Sequence, residues 1–161
     1  MEEEEELTER DFFTTDEVYQ ITALVNEELA GVVYHYWINT ASGQRFEVLD
    51  WITLVFKSGE RMTFTAGLET DGIKIAEPDF EAERKRLEEE FKGTVTIESK
   101  DASKSKFWKE TIGKSITPSL LKHEGRVLND SLVLKFEDDN SVEIFLGLEG
   151  LEVDFFDEEA N

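Results

Sequence analysis

The chain has 161 residues, no cysteine, two histidines and a formal net charge of −21. This length fits one domain, 1–161, and the lack of cysteine excludes disulfides and thiolate metal sites. The amino terminus, MEEEEELTER, has neither the basic start nor the apolar run of a signal peptide, and no apolar stretch approaches the roughly 20 residues that span a bilayer. We therefore expect a cytoplasmic protein with no membrane contact and no cofactor.

Much of the acidity lies at the two ends of the sequence. Residues 1–11 contain seven acids and one base, and residues 149–161 contain six acids and no base. We predict acidic tails at 1–11 and 156–161, which are usually solvated segments that aid solubility. The alternative is that they attract a basic protein partner by electrostatic steering, and the same charge would repel nucleic acid.

The first predicted element is a helix over residues 15–30. In FTTDEVYQITALVNEELAG, Thr14 can cap the helix while Glu17 reaches back to it. Gly31 stands where a helix ends. The apolar residues that share one face of this helix are Val18, Ile21, Leu24, Val25 and Leu29.

An extended stretch, VVYHYWI, follows the helix and carries four candidate site residues. Period-two alternation places His35 and Trp37 on one face and Tyr34 and Tyr36 on the other. These aromatic groups could line a ligand pocket or a partner surface. The alternative is a structural strand that buries its aromatic rings.

The next segment is an internal repeat, with one copy from Leu54 and a second copy from Leu134. A shift of 80 residues gives six identities over the twenty positions 50–69 and 130–149. Apolar residues alternate with period two in both copies, so each predicts a hairpin with one buried face. The turns KSGE and EDDN supply the Gly, Asp and Asn residues that tolerate positive φ.

Two further helices complete the predicted plan. EPDFEAERKRLEEEFKG predicts a surface helix at about 79–92, and SKSKFWKETIG predicts a short helix before the second hairpin. The fold class is therefore α+β. We expect a tandem repeat of a helix plus an antiparallel three-strand meander, at about 15–76 and 103–155, with pseudo-twofold character and one surface helix between the copies.

Two acidic residues are related by the repeat. Asp50 and Asp130 could form a carboxylate pair if the pseudo-dyad brings them together. An acidic residue at a turn before a strand is the alternative explanation. No phosphate loop, G-x-S-x-G motif or EF-hand loop is present, and we expect no enzyme.

The run IGKSI followed by SLVLKFEDDNSVEIF resembles small acidic bacterial proteins of unknown function, some of which are immunity proteins encoded beside toxins. The resemblance covers the second half and, through the repeat, part of the first. With the charge, it predicts a non-enzymatic acidic protein-binding module, such as an inhibitor or immunity protein for a basic partner. The alternative is a small-molecule-binding or catalytic domain with a cleft between the repeats.

Overall fold

The computed structural model describes residue 8 and residues 11–66 and 72–156. The predicted acidic tails lie almost entirely outside these residues. The helices are α1 (Thr15–Thr22) and α2 (Phe80–Phe91). The strands are β1 (Leu29–Asn39), β2 (Phe46–Phe56), β3 (Arg61–Ala66), β4 (Ile73–Ala76), β5 (Val95–Asp101), β6 (Ile116–Ser119), β7 (Lys122–His123), β8 (Arg126–Val127), β9 (Ser131–Phe136), β10 (Ser141–Leu146) and β11 (Leu151–Phe156).

Most strands of the described chain belong to two antiparallel sheets. The first sheet has the order β4-β3-β2-β1-β5, and the second has the order β11-β10-β9-β6. Strands β7 and β8 form a separate two-stranded ribbon. An isolated bridge between Glu28 and Ser115 joins the start of β1 to the start of β6. The protein is thus α+β with mostly antiparallel sheets, and this part of the prediction is confirmed.

One hydrophobic core takes side chains from both sheets, because alternate residues of each strand point inward. Fully buried members include Ile52, Leu54, Phe56, Phe64, Ile116, Leu132, Leu134 and Ile144. A smaller cluster lies between α2 and the other face of the first sheet. Its members are Leu87, Val95 and Ile97, with Trp37, Trp51 and Phe80 packed against them. Helix α2 therefore packs over β5 and the neighbouring part of the outer face of the first sheet.

Helix α1 begins with the predicted capping box. Thr14 Oγ1 accepts from the backbone N–H of Glu17 at 3.1 Å, and Glu17 Oε1 accepts from the N–H of Thr14 at 2.9 Å. The second oxygen of Glu17 accepts from the N–H of Ile75 at 2.8 Å, which ties the helix to β4. The Glu17 side chain thus both caps the start of α1 and holds the helix against β4.

The prediction that this helix runs to residue 30 is wrong. It ends at Thr22, and Asn26 adopts a φ of 69°. The backbone then pairs with the segment before β6: the N–H of Leu29 donates to the carbonyl of Lys114 at 3.0 Å. Leu29 is fully buried, but as the first residue of β1. The prediction failed because the position of Leu29 in the sequence fits both the apolar face of a longer helix and the buried start of a strand.

The predicted short helix before the second hairpin is also absent. Residues 103–113 form successive turns, in which the N–H of Trp108 donates to the carbonyl of Ser105 at 3.1 Å. The N–H of Ala102 donates to Val32, which holds this segment against β1. Trp108 and Thr111 are fully buried, and their spacing of three residues would also place them on one face of a helix. Tertiary contacts have replaced the helix while keeping its apolar side inward.

The hairpins β2–β3 and β9–β10 pair in the same register under the 80-residue shift. Ile52 lies opposite Phe64, and Leu132 lies opposite Ile144. The predicted positive-φ turn residues are observed at Gly59, with φ 94°, and at position 139, an aspartate with φ 66°. The third strands pair in different registers. Position 64 pairs with 75, so an equal register would pair position 144 with 155, but position 144 pairs with 153. The structure does not reproduce the whole helix-plus-meander unit in both halves.

Two local features complete the fold. Helix α2 matches the predicted surface helix, with the Asp79 side chain accepting from the N–H of Ala82 at 3.1 Å. The second feature is a close contact between the sheets, because a Cβ placed on Gly150 would lie 2.6 Å from the backbone oxygen of Leu49. The chain before β11 therefore approaches β2 at a distance that only glycine permits.

Candidate functional site

The four candidate aromatic residues of β1 lie in different surroundings. Tyr34 packs against the main core, and its hydroxyl accepts from Trp108 Nε1 at 2.5 Å. Burial raises the pKa of Tyr34 to about 12, although the Trp108 hydrogen bond opposes this shift. Lys100 Nζ lies 5.3 Å from the ring centre of Tyr36. Trp37 packs into the cluster beneath α2, so the four residues do not line one pocket.

Asp50 sits at a β-bulge rather than at a turn before a strand. His35 pairs with Trp51 and Tyr36 pairs with Leu49, so Asp50 is the extra residue of β2. Its backbone oxygen accepts from Thr65 Oγ1 at 2.9 Å. Burial raises the pKa of the Asp50 carboxyl.

Asp130 is exposed and immediately precedes β9. Its backbone oxygen accepts from the N–H of Leu146 at 3.1 Å. In the described part of the chain, no hydrogen bond links its side chain to that of Asp50. The backbone oxygens of Asp50 and Asp130 thus each accept a hydrogen bond from the second strand of their hairpin, and among the described residues the two carboxyl groups form no pair.

The remaining candidate, His35, anchors a polar network on the outer face of the first sheet. Its Nδ1 lies 2.6 Å from Ser99 Oγ, and its Nε2 lies 3.0 Å from Thr53 Oγ1. Thr53 Oγ1 lies 2.7 Å from Thr63 Oγ1 on the next strand. The ring of Phe80, from the first turn of α2, stacks on His35 with 3.9 Å between ring centres. Four strands, β1, β2, β3 and β5, and one helix thus position this network.

The imidazole of His35 is held in its neutral form. Burial lowers its pKa to about 4, and the nearby charges of Arg84 and Arg61 act in the same direction. Arg84 is fixed across β5, because its Nε donates to the carbonyl of Ile97 at 2.8 Å and its Nη2 donates to Ser99 Oγ at 2.7 Å. A cation therefore lies at one end of the hydroxyl–imidazole chain.

A cavity of about 280 Å³ opens beside this network. Its lining residues are His35, Thr53, Arg61, Thr63, Glu77, Pro78 and Phe80. All belong to the first sheet, to the start of α2 or to the loop between β4 and α2, so the cavity is not a cleft between two repeats. Neutral hydroxyls, one aromatic ring and two opposite charges meet in it, which suits a small polar ligand.

The sequence interpretation missed most of this cavity. It named His35 but not Thr53, Thr63, Arg61 or Phe80. The signal for the two threonines was present, since alternation with Ile52 and Phe64 already placed them on the outer face. Their proximity to His35 depends on the order of β1, β2 and β3 in the sheet, which the sequence does not encode locally.

A second surface lies on the outer face of the second sheet, which neither helix covers. Glu143 lies directly opposite Asp154, and Phe145 lies opposite Glu152 across strands β10 and β11. Phe156 is exposed and lies opposite position 141. We call these five residues, Glu143, Phe145, Glu152, Asp154 and Phe156, the acidic face. Within the described residues, none of the three carboxylates forms an ion pair.

Comparison with known proteins gives no family for this chain: no protein-family model, curated protein or solved structure matches it. Among the described residues, no group of three or more His, Asp or Glu side chains could hold a metal ion. Neither α1 nor α2 has the length and apolar content that a membrane-crossing helix requires.

Proposed function

We propose that the protein is a non-enzymatic binding module that docks a basic protein segment on its acidic face. Its role would be that of an inhibitor or immunity-type partner. The observation that carries the proposal is the direct cross-strand pairing of Glu143 with Asp154 on a sheet face that neither helix covers. Like charges placed opposite each other on neighbouring strands destabilise a sheet. A partner that supplies lysine or arginine would relieve this repulsion.

The composition around the acidic face supports the same partner chemistry. Residues 131–156 contain seven acids and one base. The base, Lys135, lies opposite position 141 and forms no ion pair with another described residue. Phe145 and the exposed Phe156 supply apolar surface between the carboxylates. An interface needs such anchors at its centre, with charges that fix orientation and partner choice.

The acidic ends of the sequence extend this proposal to association kinetics. Exposed charges act over a Debye length of about 8 Å at physiological salt, so they steer encounter more than they hold the complex. We expect deletion of residues 1–7 to slow association with a basic partner and to leave dissociation nearly unchanged. Residue 11 should be kept, because the backbone oxygen of Asp11 accepts from the N–H of Asn129 at 3.0 Å.

The proposal is tested with a variant that neutralises the face, Glu143→Gln, Glu152→Gln and Asp154→Asn. Binding of a lysine- and arginine-rich peptide and of basic proteins is measured by stopped flow and by photo-cross-linking from position 145. We expect the triple variant to bind at least tenfold more weakly at physiological salt, and cross-links to form from position 145 in the parent.

A charge-matched control separates this face from the general acidity of the protein. The control variant, Glu81→Gln, Glu88→Gln and Glu89→Gln, removes three exposed charges from α2. It should bind as the parent does. Equal weakening of both variants would show that only net charge matters, and unchanged binding by both would remove the acidic face as a docking surface.

The tandem organisation of the chain is part of the same proposal. We infer that residues 15–76 and 103–155 are two versions of one ancestral unit with pseudo-twofold character. What supports this is the equal register of β2–β3 and β9–β10 and their matched turns. The acidic face is then a specialisation of the second version.

A further inference from the structure

We propose that the cavity beside His35 and Thr63 binds a small carboxylate ligand. The ligand would accept hydrogen bonds from the Thr63 hydroxyl and the Arg61 guanidinium, with its apolar part against Phe80 and Pro78. This site lies on the first sheet, away from the acidic face, and the proposal stands independently of protein docking.

The direction of the hydrogen-bond chain makes Thr63 a donor toward the cavity. Arg84 can only donate, so Ser99 Oγ accepts from it; in the arrangement that we propose, Ser99 donates its own proton to His35 Nδ1. A neutral imidazole that accepts at Nδ1 carries its proton at Nε2, and this proton is donated to Thr53 Oγ1.

Thr53 is the last donor in this chain of hydrogen bonds, and it donates its hydroxyl proton to Thr63 Oγ1 at 2.7 Å. The proton of Thr63 itself then has no acceptor among the described residues. Thr63 is only 9% exposed and lines the cavity. A buried hydroxyl whose proton lacks an acceptor is costly, and a ligand oxygen in the cavity would supply one.

The charge of the cavity wall selects the kind of acceptor. Arg61 lines the cavity and forms no ion pair with another described residue, so its planar group can hold a carboxylate in a bidentate manner. Arg84 adds positive potential at the far end of the chain. Glu77 lines the same cavity and opposes an anion, so its removal should strengthen binding.

The shape of the cavity limits the ligand to a small one. A volume of about 280 Å³ lies just below the usual range of ligand pockets, which begins at roughly 300 Å³. The rings of Phe80 and His35 stack on each other and both line the cavity. A carboxylate with a compact apolar or aromatic body fits these features.

Benzoate is the probe that tests the site, and benzyl alcohol is its neutral counterpart. Each is titrated at pH 7 into the ¹⁵N-labelled full-length protein while the resonances of the His35 ring, the Thr63 amide and the Arg61 side chain are followed. Benzoate should produce saturable shifts at all three, and benzyl alcohol should not. Absence of saturable shifts with benzoate up to tens of millimolar would overturn the proposal.

Matched variants assign the two donors. Thr63→Val and Arg61→Gln should each weaken benzoate binding by about tenfold or more, because each removes a hydrogen bond to a charged group. Thr63→Ser should bind nearly as the parent does, and Glu77→Gln should bind more tightly. Lys57→Gln removes a charge from the turn of the same hairpin and should have no effect. Parent-like affinity in both donor variants would exclude the site.

Measuring which ring nitrogen of His35 carries the proton tests the proposal in the parent protein, without any variant. Long-range ¹⁵N coupling patterns should show the proton on Nε2 in the free protein. A proton on Nδ1 would reverse the hydrogen-bond chain, would turn Thr63 into an acceptor toward the cavity, and would overturn the assignment of a carboxylate.

Discussion

The hairpins β2–β3 and β9–β10 are alike on their inner faces and opposite in character on their outer faces. Both direct a phenylalanine before the turn into the shared core, Phe56 with 1% and Phe136 with 4% exposure. At one matched outer position, the first hairpin has Thr53 opposite Thr63, whereas the second has a valine opposite Glu143.

This difference follows from what covers each face. Phe80, at the start of α2, stacks on His35 beside the first hairpin, and Thr53 and Thr63 are both buried there, so their hydroxyls need partners within the protein or in the cavity. Thr53 is hydrogen-bonded to both His35 and Thr63, and the proton of Thr63 is left for an acceptor in the cavity. Neither α1 nor α2 lies over the outer face of the second hairpin, and the carboxylate of Glu143 can remain in water. The core thus fixes one side of each hairpin, and the covering layer selects the residues of the other.

The largest expected effect tests the equality of the inner faces. Phe56→Ala and Phe136→Ala should each lower the free energy of unfolding by roughly 3–5 kcal/mol, because each leaves a cavity in the shared core. Urea melts of the two variants measure this directly. A loss below about 1 kcal/mol for either one would show that the two positions are not equivalent.

The second prediction concerns pH and the covered face. Because the pKa of His35 is about 4 when folded and 6.5 ordinarily, the unfolded chain binds a proton more readily between these values. The contribution of His35 is therefore complete above pH 6.5 and is lost as pH falls toward 4, by at most about 3 kcal/mol. Urea melts at pH 7 and pH 4.5 should show this loss.

The matched control for this prediction is His35→Gln, which has no proton to gain in this range. Its stability should depend less on pH than that of the parent. The raised pKa of Asp50 acts with the opposite sign, favouring the folded protein as pH falls, but it is common to both proteins and cancels in the comparison. Identical pH profiles would show that His35 is not held neutral by the fold.

The third prediction compares the segments that precede the two hairpins. Helix α1 is present in the first half of the chain, whereas successive turns at residues 103–113 stand in the second half. Thr14→Ala should lower the free energy of unfolding by about 1 kcal/mol, since it removes the N-cap acceptor. Glu17→Ala should lower it further, because Glu17 also holds the N–H of Ile75. Thermal melts compare the two, and a greater loss for Thr14→Ala would contradict the double role of Glu17.

The smallest expected effect exchanges an outer residue between the hairpins. Glu143→Thr should raise the free energy of unfolding by roughly 0.2–1 kcal/mol at low salt, because it removes the like charge opposite Asp154. The gain should disappear in 1 M salt. Glu143→Gln, which keeps the side-chain size, should behave similarly. A loss of stability in both would mean that the repulsion is already relieved within the chain.

The sequence predicted those features that depend on neighbours along the chain. Alternation located the inner residues of both hairpins, and the capping box located the start of α1. It failed where distant segments decide the outcome: Leu29 joins a strand because Lys114 pairs with it, and the turns around Trp108 replace a helix. The cavity beside His35 was not predicted for the same reason, because the order of the strands and the position of α2 bring its lining residues together.

Gly150 shows how a loop can be as demanding as a core. Loops usually accept substitutions more readily than the strands they connect. Here any side chain would press on the backbone of β2, which cannot rotate aside as a flexible side chain would. In a saturation mutagenesis screen, position 150 should therefore tolerate almost no replacement, whereas the exposed Leu148 two residues earlier should accept most of them.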